Sequence, residues 1–285
     1  MKVGIGLPNH IAGVSGGVVI EYARRAEQRG FDALTTIDRL IYPSLDSITT
    51  LALAAGATTT VDLVTNVLLA PLYSPVLLAK QLATLAEASG SRLTLGVGVG
   101  ARPDDYRGAG VEFGSRGAIL DDATAVWRRV WAGEPLDGET ALCPAPVIIP
   151  VLFGGKGKPT LRRVATAGDG WAGGAVRDYE TQTSFTEQIR DRWLEAGRAG
   201  RPLLQTSVNF ALGDASVVAE GRRSLGRYYG NKPYYAALNV ADMVATPEDA
   251  HDTVRRYRDM GFDRLLFHPS VASLDQVDRL ADAVL

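Results

Sequence analysis

The strongest constraint in this sequence is a repeated alternation. Short apolar runs and amphipathic helical patterns follow one another from end to end, as in βα units built around a parallel sheet. Eight strand candidates can be read, at 3–7, 33–37, 62–69, 92–98, 147–153, 170–172, 203–211 and 263–267. Several lack polar alternation, as expected of strands covered on both faces. The αβ junction is written nearly twice, as Arg29-Gly30-Phe31-Asp32-Ala33-Leu34 and Met260-Gly261-Phe262-Asp263-Arg264-Leu265, with a looser copy at Ala167-Gly168-Asp169-Gly170-Trp171. Each reads as helix, glycine stop, aromatic plug and strand. Eight such units in 285 residues predict a single (β/α)8 TIM barrel over residues 1–285, with an open doubly wound sheet as the alternative. Two stretches break the alternation and read as insertions before strands five and eight: the proline-containing Glu134–Pro146, and Gly230–Ala245 after the aromatic Arg227-Tyr228-Tyr229.

Composition excludes several function classes. Basic and acidic side chains number 30 and 32, a net charge of −2, which carries no electrostatic footprint for nucleic acid or for a membrane surface. Cys143 is the only cysteine, so neither an internal disulfide nor a thiolate metal cluster can be built. No apolar run approaches the ~18 residues of a membrane span, and a cytoplasmic protein is the expectation. No histidine is spaced to complete a metal triad with Asp104 and Asp105, so no metal is expected.

In a barrel of this kind, chemistry belongs to the loops at the carboxyl ends of the strands. Those loops offer His10, Asp38, Arg39, Asn66, Arg102, Asp104, Asp105, Tyr106 and His268. Gly154-Gly155-Lys156-Gly157-Lys158 follows strand five; its glycines admit close backbone approach and its lysines add charge, pointing to a phosphate-bearing ligand or else to a flexible solvated turn. Gly96, Gly98 and Gly100 alternate within strand four, unlike a G-x-G-x-x-G dinucleotide fingerprint. Their bare face either relieves crowding in the barrel or admits a flat ligand.

Taken together, Tyr22–Asp32, Ser74–Lys80, Ala83–Gly98, Asp104-Asp105-Tyr106-Arg107 through Arg116, and Phe153-Gly154-Gly155 through Trp171 resemble the bacterial luciferase-like flavin and deazaflavin oxidoreductases. The resemblance implies a barrel holding a reduced flavin (FMN) or coenzyme F420 at the carboxyl ends of its strands. The ring would lie against a bulge ending strand three, with a cis peptide that falls by position at Asn66-Val67. Gly98 and Gly100 would border the ring, and Gly154 to Lys158 would hold the phosphate end. The family often has a histidine where this chain has Arg39, and arginine cannot shuttle a proton. Arg39 is then expected to bind an anion or developing negative charge, leaving Asp38, His10, Asp105 and Tyr106 as proton-handling candidates.

Strand four followed by Arg102-Pro103-Asp104-Asp105-Tyr106 looks more like the deazaflavin-using members. The implied function is hydride transfer between F420 and a small organic substrate. Alternatives are a two-component monooxygenase using reduced FMN from a flavin reductase partner, with Gly230–Ala245 as a lid, and a flavin-binding protein that has lost catalysis. A homodimer is expected from the family alone.

Overall fold

The computed structural model describes residues 1–143 and 146–285. Eight parallel strands close into a barrel in sequence order, with β1 pairing both β2 and β8. The order is β1 (Lys2–Gly6), α1 (Gly16–Gln28), β2 (Ala33–Thr36), α2 (Ser47–Ala57), β3 (Asp62–Leu68), α3 (Pro75–Ala88) and β4 (Leu93–Val97). Two helices, α4 (Pro103–Ala109) and α5 (Arg116–Trp131), precede β5 (Val151–Gly154), which leads through α6 (Lys158–Thr166) to β6 (Gly170–Ala172). After α7 (Tyr179–Glu195) and β7 (Leu203–Phe210) come α8 (Ala215–Tyr228), α9 (Pro233–Ala241) and α10 (Pro247–Asp259), then β8 (Arg264–Pro269) and α11 (Asp275–Val284).

The echoed junctions behave alike, because Gly30 and Gly261 both take the left-handed conformation that ends a helix (φ +89° and +79°). Phe31 and Phe262 follow as buried plugs. The fifth strand starts at Val151 instead of the expected position 147, since the stretch before it contains Pro146 and Pro150, which have no N–H for a ladder. The stretch 134–146 holds no helix or strand among its described residues, and positions 144 and 145 lie outside them. The stretch 230–245 contains α9.

Strand alternation sorts the core into two regions. Leu34, Leu63 and Leu265 point outward into the main cluster beneath the helices, with Trp127 and Trp171 among its largest members. Ala33, Val64 and Leu266 form a small separate cluster inside the barrel. The interior therefore reads in layers along β3 and β8: Asp62 and Arg264 below, Val64 and Leu266 in the middle, and Asn66 and His268 above.

One irregularity shapes the upper end. Between Thr65 and Leu68, β3 carries an extra residue relative to β4, and the Asn66–Val67 peptide is cis. The displaced Val67 side chain fills space vacated by glycines. A Cβ at Gly98 would lie 2.8 Å from Val67 Cγ2, and one at Gly154 would lie 3.2 Å from Val67 Cγ1. At Gly96 a Cβ would sit 2.2 Å from the Thr65 carbonyl oxygen, a backbone atom that cannot swing aside. The alternating glycines of β4 thus do relieve crowding, and the crowding comes from the bulge. Gly96→Ala is expected to destabilise the fold by about 3 kcal/mol; a urea unfolding midpoint equal to wild type would refute the packing account.

Candidate active site

A cavity of about 630 Å³ opens at the carboxyl ends of the strands. One wall is glycine-rich, built from Gly98 and Gly100 after β4, Gly154 at the end of β5 with Gly155 after it, and Gly173 and Gly174 after β6. Asn66 and Val67 of the bulge lie beside it, and Tyr228, Tyr229 and Tyr235 from the α8–α9 region face it. Asp38, Arg102, Asp105, Lys156, Ser207, Lys232 and His268 add polar groups. Eleven residues singled out in the sequence therefore meet in one place: Asp38, Asn66, Val67, Gly98, Gly100, Arg102, Asp105, Gly154, Gly155, Lys156 and His268.

Asp38 is half-buried where the β2 loop meets the end of β3. Its Oδ2 accepts hydrogen bonds from Leu69 N (2.9 Å) and Tyr73 Oη (3.1 Å). Burial nevertheless dominates and raises its pKa from 3.8 to about 6. Asp105, in the first turn of α4, accepts from Ile41 N through Oδ1 (2.7 Å), while its buried Oδ2 has no partner among the described residues. His268 is buried with both ring nitrogens unpartnered among the described residues, and burial lowers its pKa to about 3. An imidazole in that state is neutral at pH 7 and offers one donor and one acceptor.

Other residues from the sequence reading stand outside the cavity lining. His10 lies in a single 3₁₀ turn after β1, its ring edge-on to His268 at 6.2 Å between centroids, and burial lowers its pKa to about 4. The Tyr106 hydroxyl donates to the Val99 carbonyl, and burial pushes its pKa up to about 12. Gly157 and Lys158 line a shallow hollow with Glu180 and Phe185; Lys156 borders both depressions.

Arg39 is part of the wall and does not face the cavity. Its Nη1 donates to the Tyr228 carbonyl (2.8 Å), its Nη2 lies 3.4 Å from Asp104, and its guanidinium sits 4.7 Å from the Tyr42 ring centroid. Arg102 donates to the same Tyr228 carbonyl (2.9 Å) and stacks over the Tyr228 ring. Tyr228 ends α8, where carbonyls lack helical partners and the helix dipole is negative, so two guanidiniums are well placed there. The clamp holds the aromatic wall through loops after β2 and β4.

Sequence reasoning did not assign Gly173, Gly174, Ser207, Tyr228 or Tyr229 to the site, and reached Lys232 and Tyr235 only through Gly230–Ala245 as a lid in the FMN alternative. The glycine pair was findable, since it directly follows β6. The tyrosines were visible only as an aromatic-rich stretch, because no local pattern reveals where α8 and α9 fold back. Arg39→Met is expected to cost about 2 kcal/mol and to speed trypsin cleavage after Arg227; unchanged proteolysis there would reject the clamp.

Comparisons with known proteins bear on the fold and the family. The chain is 30% identical over 212 residues to an uncharacterised protein of Mycobacterium tuberculosis, covering 63% of this chain and 72% of that one. It is 24% identical over 296 aligned residues to an F420-dependent glucose-6-phosphate dehydrogenase of Nocardia farcinica, covering 88% and 87% of the two chains. Among solved structures, an F420-dependent secondary alcohol dehydrogenase in complex with an F420–acetone adduct shares the fold, with a TM-score of 0.81, 19% identity and coverage of 100% and 98%. The model for the luciferase-like monooxygenases matches residues 1–263, and the chain belongs to that family of oxidoreductases.

Proposed function

We propose that the protein exchanges a hydride between the deazaflavin coenzyme F420 and a small organic substrate. The observation that carries this reading is the cavity wall made of Val67 and the glycines packed against it, which carries no long side chain and offers a surface to a planar ring. Its residues fit the group: Gly98, Gly100, Gly154 and Gly155 border that surface, and Asn66 lies at its edge. Arg102, Lys156 and Lys232 add positive charge suited to a cofactor with a long anionic tail. The F420-dependent relative aligned along most of the chain supports the same choice.

When bound, the deazaflavin would supply or take the hydride. The chain's own groups handle the rest. Hydride arrival at a carbonyl carbon leaves negative charge on oxygen, which a neighbouring acid must quench. Asp38 holds its proton up to about pH 6 and can exchange it close to neutrality. His268, neutral and unpartnered, can hydrogen-bond a substrate oxygen, and the three tyrosines exclude water from that side. A second reading, a reduced-FMN-dependent monooxygenase supplied by a flavin reductase, draws on the family's name and on the same aromatic wall.

The deciding experiment offers F420 and FMN, each in oxidised and reduced form, to the purified protein with and without oxygen. F420 is expected to bind more tightly and to turn over anaerobically with a panel of small alcohols and carbonyl compounds. Oxygen-dependent consumption of reduced FMN with weak F420 binding would replace the first reading by the second.

Asp38 gives a pH test. Its folded pKa of about 6 lies above its ordinary value of 3.8. Its contribution to stability is therefore complete below about pH 4 and lost as pH rises through 6. Asp38→Asn should flatten that part of the stability profile and remove an inflection near pH 6 from kcat/KM. Superimposable profiles for wild type and variant would discard the assignment.

A further inference from the structure

A polar column runs up the inside of the barrel and ends at the cavity. At its foot Asp62 accepts from Lys2 Nζ (2.7 Å) and from Arg264 Nη2 (2.6 Å). Arg264 Nη1 donates to Gln205 Oε1 (3.0 Å), and the two residues are register partners on β8 and β7. Gln205 is buried and passes the contact upward, its Nε2 donating to Asn66 Oδ1 (2.9 Å). Asn66 borders the cavity and forms the first half of the cis peptide. No other described hydrogen bond engages its side chain.

The order of donors and acceptors in this column is forced. A guanidinium has donors only, so the Gln205 atom facing it must be the oxygen. The Gln205 amide nitrogen must then face Asn66, and the Asn66 atom meeting it must again be oxygen. What remains for the cavity is the Asn66 NH₂ group. A half-buried charge low in the barrel thus fixes, through two amides, the polarity of a group at the site.

We propose that Arg264 and Gln205 are positioning residues that lock Asn66 as a hydrogen-bond donor into the cavity. The site thereby selects a ligand presenting an acceptor there, a carbonyl or anionic oxygen, and disfavours one presenting a donor. Identifying that ligand as the redox cofactor, through a carbonyl of its ring, rests on the function proposed above.

Gln205→Glu reverses the column. Glutamate keeps its contact with Arg264 but offers only acceptors to Asn66, which must turn its NH₂ downward and its oxygen toward the ligand. Gln205→Met keeps the length and removes the directionality. The first readout needs no cofactor: solvent exchange of the Asn66 side-chain amide protons, followed by NMR and assigned through the resonance lost in Asn66→Asp. Exchange is expected to be at least about tenfold slower in Gln205→Glu than in wild type, because the protons become held against a carboxylate. Equal exchange rates overturn the proposal.

The second readout is affinity for F420 and for FMN. Whichever binds wild type is expected to bind Gln205→Glu about tenfold more weakly or worse, with Gln205→Met between the two. Altered exchange with unchanged affinity overturns the selection of an acceptor. If wild type binds neither cofactor, the proposed function fails, and the exchange rates alone decide the column. Should Gln205→Glu not fold, undiminished affinity of Gln205→Met for the bound cofactor overturns the proposal.

Discussion

The upper half of this barrel depends on one steric exchange: the extra residue in β3 pushes Val67 sideways, and glycines on β4 and β5 give up their side chains to receive it. Without Gly96 the Thr65 carbonyl has no room, and without Gly98 and Gly154 the valine has none. The same absence of side chains leaves a smooth wall next to the bulge. Packing and recognition meet here, because Val67, seated among these glycines, and the glycine backbone itself form the face that a flat ligand would touch.

Around that wall, charge is used to hold position. Arg39 and Arg102 meet on one carbonyl at the end of α8 and fix the tyrosines opposite the glycines. The ion pair of Arg264 with Asp62 at the foot of the barrel anchors a chain of amides that reaches Asn66. Both arrangements engage guanidiniums in structural contacts, and among the groups at the cavity Asp38 and His268 are two whose ionisation burial shifts. Burial sets their states in opposite senses, raising the carboxyl toward neutrality and keeping the imidazole uncharged.

Much of this was legible locally. The strand alternation and the repeated glycine–phenylalanine–aspartate junction specify a βα repeat, since helix stops and buried plugs are written in adjacent residues. The rule that strand ends carry chemistry groups Asp38, Asn66, Gly98, Gly154 and Lys156 from sequence alone. It misjudged Arg39, whose type suggested an anion site, because the carbonyl it binds lies 189 positions away in the chain.

By itself, then, the sequence determined the repeat, the strand ends and the places where a side chain is missing. These follow from backbone preferences and periodicity, which act over a few residues. Only the tertiary structure decided which glycines face Val67, which tyrosines close the cavity, that Asp38 titrates near neutrality, and that Gln205 and Arg264 stand beneath Asn66. Each of those depends on burial or on contacts between strands and loops far apart in the chain, and such contacts exist only once the barrel has closed.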